Sequence, residues 1–157
     1  TETSLPLIYV NQVGGQDELV FDGASFVLDS NSNIRSQCPS WQEYTSINKI
    51  LINEGEIENV NASKVNNISS GLEAKYQAMV MGLSHYVKNN NFKGVVLGLS
   101  GGIDSALSAA IAVDALGNDN VRGVRMPSSI SSEGSLKEAE ETAKLLNIEL
   151  KTIDIFL

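Results

Sequence analysis

Apolar residues in the first fifty positions come in short runs broken by turn residues, whereas beyond residue 72 they recur at helical spacing. The early pattern predicts strands. Residues 7-LIYVN-11 read as a strand and 14-GGQD-17 as a turn. Residues 18-ELVFDGASFVLDSNSNI-34 read as two strand segments broken near Asp22-Gly23, with a polar turn over Ser30 to Asn33. The stretch from Gln37 to Gly55 contains Pro39 and reads as an irregular link leading to a strand over Lys49 to Ile52. Residues 54-EGEIENVNASKVNNISSG-71 are rich in Asn, Ser, Glu and Gly and are read as a linker, because so few apolar residues bury little.

After Gly71 the period changes. Tyr76, Met79, Val80, Leu83, Tyr86 and Val87 form one stripe of a predicted helix over 73–90. The run 94-GVVLGL-99 reads as a strand apolar on both faces, as in a buried parallel sheet. A helix over 104–117 ending on glycine follows, then a strand, 121-VRGVRM-126. Ser135 and Glu138 have the spacing of a capping box for a helix over 135–147, and 149-ELKTIDIFL-157 reads as a last strand. The order α-β-α-β-α-β predicts an α/β fold with a doubly wound parallel sheet. The expected division is a β-rich part over 1–53, a linker over 54–71 and an α/β part over 72–157.

Composition narrows the function. Nineteen acids against eleven bases give a net charge of -8, which argues against nucleic acid or an anionic membrane as partner. One cysteine, Cys38, excludes an internal disulfide and fits a reducing, cytoplasmic setting. No apolar run is long enough to span a bilayer. Two glycosylation-type triplets, at Asn61 and Asn67, are read as chance in a polar stretch.

The chemistry concentrates in 98-GLSGGIDSALSAAIAVDALG-117, where a predicted strand enters a glycine turn and then a helix. A helix N-terminus offers unpaired N–H groups and partial positive charge, and glycines let an anion approach the backbone. Ser100 and Ser105 add hydroxyls. Asp104 repels a bare phosphate, but it has a role if Mg²⁺ bridges it to phosphate oxygens; otherwise it serves as an N-cap. The P-loop pattern fails because no lysine follows the glycines, and the dinucleotide pattern fails on glycine spacing.

The hexapeptide Ser100-Gly101-Gly102-Ile103-Asp104-Ser105 resembles the pyrophosphate loop of the N-type ATP pyrophosphatases, adenine nucleotide alpha-hydrolase-like proteins that cleave ATP between its α- and β-phosphates. Residues 92–117, with 124-VRMPSSISSEGS-135 after the second strand, resemble the synthetase domain of the NAD synthetases. Residues 6-PLIYVNQVGGQDELVFDGASFVLD-29 resemble the end of the nitrilase-like α/β sandwich that precedes it in glutamine-dependent NAD synthetases. The chain departs from that family at Ser129, where a basic residue often follows Met-Pro-Ser.

The resemblance implies a ligase that amidates deamido-NAD to NAD. A glutaminase with a Glu-Lys-Cys triad supplies ammonia, ATP and Mg²⁺ adenylate the nicotinate carboxylate, and ammonia displaces AMP. It also implies roles for residues of this chain. Gly98, Leu99, Ser100, Gly101, Gly102, Ile103, Asp104 and Ser105 would form the ATP loop, with Asp104 on the metal. Val124, Arg125 and Met126 would lie beside adenine or ribose. Arg125 would pair with an anion or stand in solvent. Cys38 follows the strand that the family's nucleophile precedes, and is read as structural or incidental. His85 is read as a surface histidine on the polar side of its helix. The resemblance further implies a homo-oligomer through paired synthetase cores, and an internal segment of a longer enzyme that is inactive alone. Another ATP-pyrophosphatase amidotransferase, a thiolation enzyme, or a truncated non-catalytic nucleotide-binding fragment remain alternatives.

Overall fold

The computed structural model describes residues 4–53, 56–129 and 131–155. These fall into two compact units, 1–78 and 79–157.

The first unit is built from antiparallel pairs. Strands β1 (Leu7–Tyr9), β4 (Phe26–Leu28) and β5 (Ile34–Gln37) form one sheet in the order β1-β4-β5. Tyr9 stacks on Phe26 across it, with ring centroids 5.1 Å apart. Strands β2 (Val13–Gln16) and β3 (Leu19–Asp22) form a hairpin. The expected turn at 14–17 is therefore shifted: Gly14 to Gln16 belong to β2, and the chain reverses at Asp17, which has φ 52°. A two-residue hairpin needs positive φ at its tip, and aspartate tolerates it better than most residues.

Strand β6 (Ile50–Asn53) lies close to the expected position, but it pairs with β7 (Glu56–Val60), inside the span expected to be a linker. Val60 there is only 1% exposed. The polar residues that follow are tied down by hydrogen bonds rather than apolar burial. Ser63 N–H donates to Arg35 O at 2.7 Å, Gln37 N–H donates to Lys64 O at 3.1 Å, and Asn66 Nδ2 donates to Gln37 O at 2.7 Å. Arg35 Nε donates to Val60 O at 2.9 Å.

Helix α1 (Gly71–Asn89) spans the boundary between the units, with Val87 buried. His85 on it is half-buried rather than fully exposed. The second unit then runs β8 (Val95–Gly98), α2 (Ile103–Leu116), β9 (Val121–Arg125), α3 (Glu133–Leu145) and β10 (Glu149–Thr152). Its strands are parallel, in the order β10-β9-β8. Both crossovers step the same way, which puts α2 and α3 on one face by the right-handed rule, so among the described residues the parallel sheet is wound in one direction and the reversal expected of a doubly wound sheet is not seen.

That face holds the core: Leu99, Val121 and Ile148 pack with Ala109 and Ala112 of α2 and Ala139 and Ala143 of α3. Full burial of a side chain the size of Leu99 contributes roughly 1.5–3 kcal/mol. The alanines let the helices lie close, and Gly123 of β9 leaves the room that Leu99 fills, since a Cβ there would lie 2.8 Å from Leu99 Cδ1. The opposite face of β8 is not covered as expected, because Val96 is 69% exposed. The helix expected to start at Ser135 starts at Glu133. Its N-cap is Ser132, whose Oγ accepts from Ser135 N–H at 3.1 Å, so Ser135 lies at the third helical position. The last strand ends at Thr152; Phe156 and Leu157 lie outside the described residues.

Candidate ATP site at the β8–α2 turn

Parallel strands present their carboxyl ends to ligands, and the glycine turn sits at that end of β8. The ladder continues one residue past the strand: Leu99 N–H donates to Val124 O at 2.9 Å. This fixes the root of the loop beside the end of β9. Gly101 then turns with φ 84° and lies directly on the backbone of α3, where a Cβ would come within 2.9 Å of both the carbonyl carbon and the Cα of Ser135.

The hydroxyls hold the turn together. Ser105 Oγ donates to Gly102 O at 2.8 Å and accepts from Ser100 N–H at 3.3 Å. Ser100 Oγ lies 3.2 Å from Ser105 Oγ and accepts from Gly102 N–H at 3.3 Å. Gly102 is the N-cap residue of α2 and gives the helix no side-chain cap. Asp104 is therefore not the N-cap; it sits in the first turn, exposed. The first bond of the helix runs from Ala106 N–H to Gly102 O at 3.1 Å. The N–H groups of Ile103, Asp104 and Ser105 thus have no helical acceptor, and they point out of an uncapped positive helix end.

Alternation along β9 sorts the other expected residues. Val121 and Gly123 are buried on the helix-covered face, and Arg125 has the same parity. Val124 and Met126 have the opposite parity, and Met126 is exposed. Gly98 meets them: a Cβ at Gly98 would lie 3.4 Å from Met126 Cε. The structure therefore brings Gly98 to Ser105 together with Val124 and Met126, while the Arg125 side chain points elsewhere. Its guanidinium, half-buried, is engaged by neighbouring groups of the protein. Nη1 donates to Leu136 O at 3.1 Å, Nη2 and Nε donate to Thr152 Oγ1 at 3.0 and 3.3 Å, and Glu140 lies 3.8 Å away. Lys144, 2.7 Å from Glu140, holds that carboxyl below its ordinary range, with Arg125 adding to the effect.

The donor set suits a phosphate chain: free helix N–H groups, two hydroxyls, and no Cβ at Gly101 or Gly102. For a divalent cation the turn offers the Asp104 carboxylate, and no group of three His, Cys, Asp or Glu side chains gathers anywhere among the described residues. Mg²⁺ is commonly held by one or two carboxylates, phosphate oxygens and water, so one aspartate at a phosphate loop fits it. Cys38, a free thiol, lines a cavity of about 260 Å³ with Tyr9, Phe26, Tyr44 and Asn48, and no Lys or Glu among the described residues borders it. No helix among the described residues is long and apolar enough to cross a membrane.

Residues 75–156 match the sequence model of NAD synthase. The chain belongs to the NAD synthase family. It is 44% identical over 155 residues to the glutamine-dependent NAD(+) synthetase of Rhodobacter capsulatus, covering 98% of this chain and 28% of that protein. The glutamine-dependent NAD+ synthetase of Acinetobacter baumannii, solved in complex with ADP, superposes with a TM-score of 0.90 at 39% identity over 99% of this chain and 29% of its own. The NH3-dependent NAD synthetase of Campylobacter jejuni, solved with nitrate, superposes with a TM-score of 0.51 at 41% identity over 55% of this chain and 37% of its own. The chain thus spans about 28% of the length of the first relative, and its NAD synthase match covers the strand, turn and helix described above.

Proposed function

We propose that this chain carries the ATP pyrophosphate loop of a glutamine-dependent NAD synthetase, a carbon–nitrogen ligase that converts deamido-NAD to NAD. In that reaction a nicotinate carboxylate oxygen bonds to the α-phosphorus of ATP and the α–β bridge breaks, releasing pyrophosphate. Ammonia, supplied free or from glutamine, then bonds to the acyl carbon and AMP leaves. Carboxylate is a poor acyl donor and the mixed anhydride a good one. Bound Mg²⁺ would neutralise phosphate charge during the first step.

The roles of this chain's residues follow from the turn. Ile103, Asp104 and Ser105 N–H groups bind phosphate oxygens, Ser100 and Ser105 hydroxyls shape the cradle, and Asp104 accepts the metal. Gly98, Val124 and Met126 border the nucleoside, with Leu99, whose side chain lies in the core, and Arg125 contributing only their backbone there. The domain reading is a glutaminase tail over 1–53, to which the span 54–71 expected to be a linker adds strand β7 and bonds to Arg35 and Gln37, followed by the start of the synthetase over 72–157. A homo-oligomer and a cytoplasmic setting complete it.

The observation that carries the reading is the uncapped N-terminus of α2 behind a glycine turn at the carboxyl end of a parallel strand. Calorimetry with Mg²⁺-ATP on this chain and on Asp104→Ala tests it. Binding that requires the metal and weakens by about tenfold or more in the variant is expected, as for loss of a charged ligand. Metal-independent binding, equal in both proteins, rules out the assigned role of Asp104. A folded wild type that does not bind rejects the site.

A further inference from the structure

We infer that Arg125 is a positioning residue for the ATP loop, acting through the first turn of α3 rather than on the nucleotide. The inference rests on the reading of the β8–α2 turn as an ATP loop. Its own grounds are the contacts that link the two. Gly101 rests on the backbone of Ser135 with no room for a side chain, so the place of α3's first turn sets the place of the loop. Arg125 fixes that turn. Its Nη1 donates to Leu136 O, the carbonyl next along from Ser135, while Nη2 and Nε hold Thr152 Oγ1 on the neighbouring strand.

The register explains why one arginine reaches both. Arg125 and Thr152 are direct partners in the parallel pairing of β9 and β10. Main-chain bonds continue beyond it, with Ile153 N–H donating to Arg125 O at 2.9 Å. The planar fork therefore ties two strands and a helix start into one unit, a geometry that a lysine ammonium does not reproduce. Leu136 O has a second lone pair available beyond its helical bond, so this contact adds to the helix without breaking it. The N-cap bond from Ser135 N–H to Ser132 Oγ orders the same turn from the other side.

The test compares Arg125→Met, Arg125→Lys and Thr152→Val with wild type. Thr152 is exposed, and valine keeps its shape, so this variant separates the positioning bond from any folding defect at Arg125. Amide NMR signals of Gly101 and Gly102 report the loop without any ligand, and calorimetry reports Mg²⁺-ATP and adenosine. We expect all three variants to shift and mobilise both glycine amides. They should weaken Mg²⁺-ATP by about three- to thirtyfold, the loss of one or two hydrogen bonds at a coupled site. Adenosine affinity should stay constant. Unchanged glycine amides in Thr152→Val and Arg125→Lys overturn the inference. Weakened ATP binding in Arg125→Met with silent amides also overturns it, in favour of direct contact. A folded wild type that binds no Mg²⁺-ATP rejects the site reading, while the glycine amides still decide whether Arg125 holds the loop.

Discussion

Gly101 and Ser135 touch backbone to backbone, joining the β8–α2 turn to the first turn of α3. The contact makes glycine obligatory on two counts. Gly101 has φ 84°, where an L side chain is strained by about 1–3 kcal/mol, and a Cβ would press on the Ser135 main chain. Gly101→Ala is therefore expected to lower the thermal midpoint of the second unit and to abolish detectable Mg²⁺-ATP binding. Differential scanning calorimetry and titration of the same sample check both. An alanine variant with unchanged affinity would mean that the loop can leave Ser135 and still bind.

Ser132 caps α3 with a single side-chain bond. Replacing it with alanine should cost about 1 kcal/mol, while Ser132→Gly should cost a few tenths. The ordering Ser, then Gly, then Ala in urea midpoints checks the assignment. Ser135→Ala should matter less, because Ser135 contributes its main-chain N–H to the cap and its hydroxyl only returns to Ser132.

Helix α2 and strands β8 and β9 were legible because the 3.6-residue period and the continuous apolar runs are local signals. The turn was legible for the same reason, since all of its residues are adjacent in sequence. Arg125 was not. Its position at the end of a strand suggests a ligand contact, but the alternation of Val121, Gly123 and Arg125 puts it on the face under α3. That parity was readable from 121-VRGVRM-126, whereas its partner Thr152 lies 27 residues away. The span after residue 54 was misread for a different reason. Its order comes from main-chain and amide hydrogen bonds to Arg35 and Gln37, which a hydrophobic pattern does not record. Ser132 was missed in favour of Ser135 because a Ser-x-x-Glu spacing is stronger on paper than the Ser-x-x-Ser that forms the cap.

The two units should unfold separately. Among the described residues, the first buries Val27 and Val60 as its fully enclosed apolar side chains, whereas the second encloses a cluster of seven. Fewer enclosed apolar contacts mean a lower local unfolding free energy. Trp41 is the chain's single tryptophan, and its Nε1 donates to Ser69 Oγ at 2.5 Å within the first unit. Urea unfolding followed by Trp41 fluorescence should therefore precede the loss of helical circular dichroism, which comes chiefly from α1, α2 and α3. Superimposable curves would mean that the chain unfolds as one cooperative body.

Asp29 should make the first unit sensitive to acid. The N–H of Asn33 donates to its carboxylate at 2.9 Å, and this bond is the main cause that holds the carboxyl below its ordinary value of 3.8. Burial opposes the shift, while the Asn33 side chain, Asn31 N–H and Arg35 reinforce it. The sign follows from linkage. A carboxyl with a depressed folded pKa stabilises the native state above its unfolded value, and that contribution is lost as pH falls through the folded one. The window therefore lies below about pH 4, the ordinary range for an aspartate. Asp29→Asn removes this titration and should flatten the acid limb of a Trp41 fluorescence curve there. At neutral pH it should also weaken the turn, because it loses the charge-assisted bonds and the 3.5 Å ion pair with Arg35. An unchanged acid limb in the variant would assign the transition to other carboxylates.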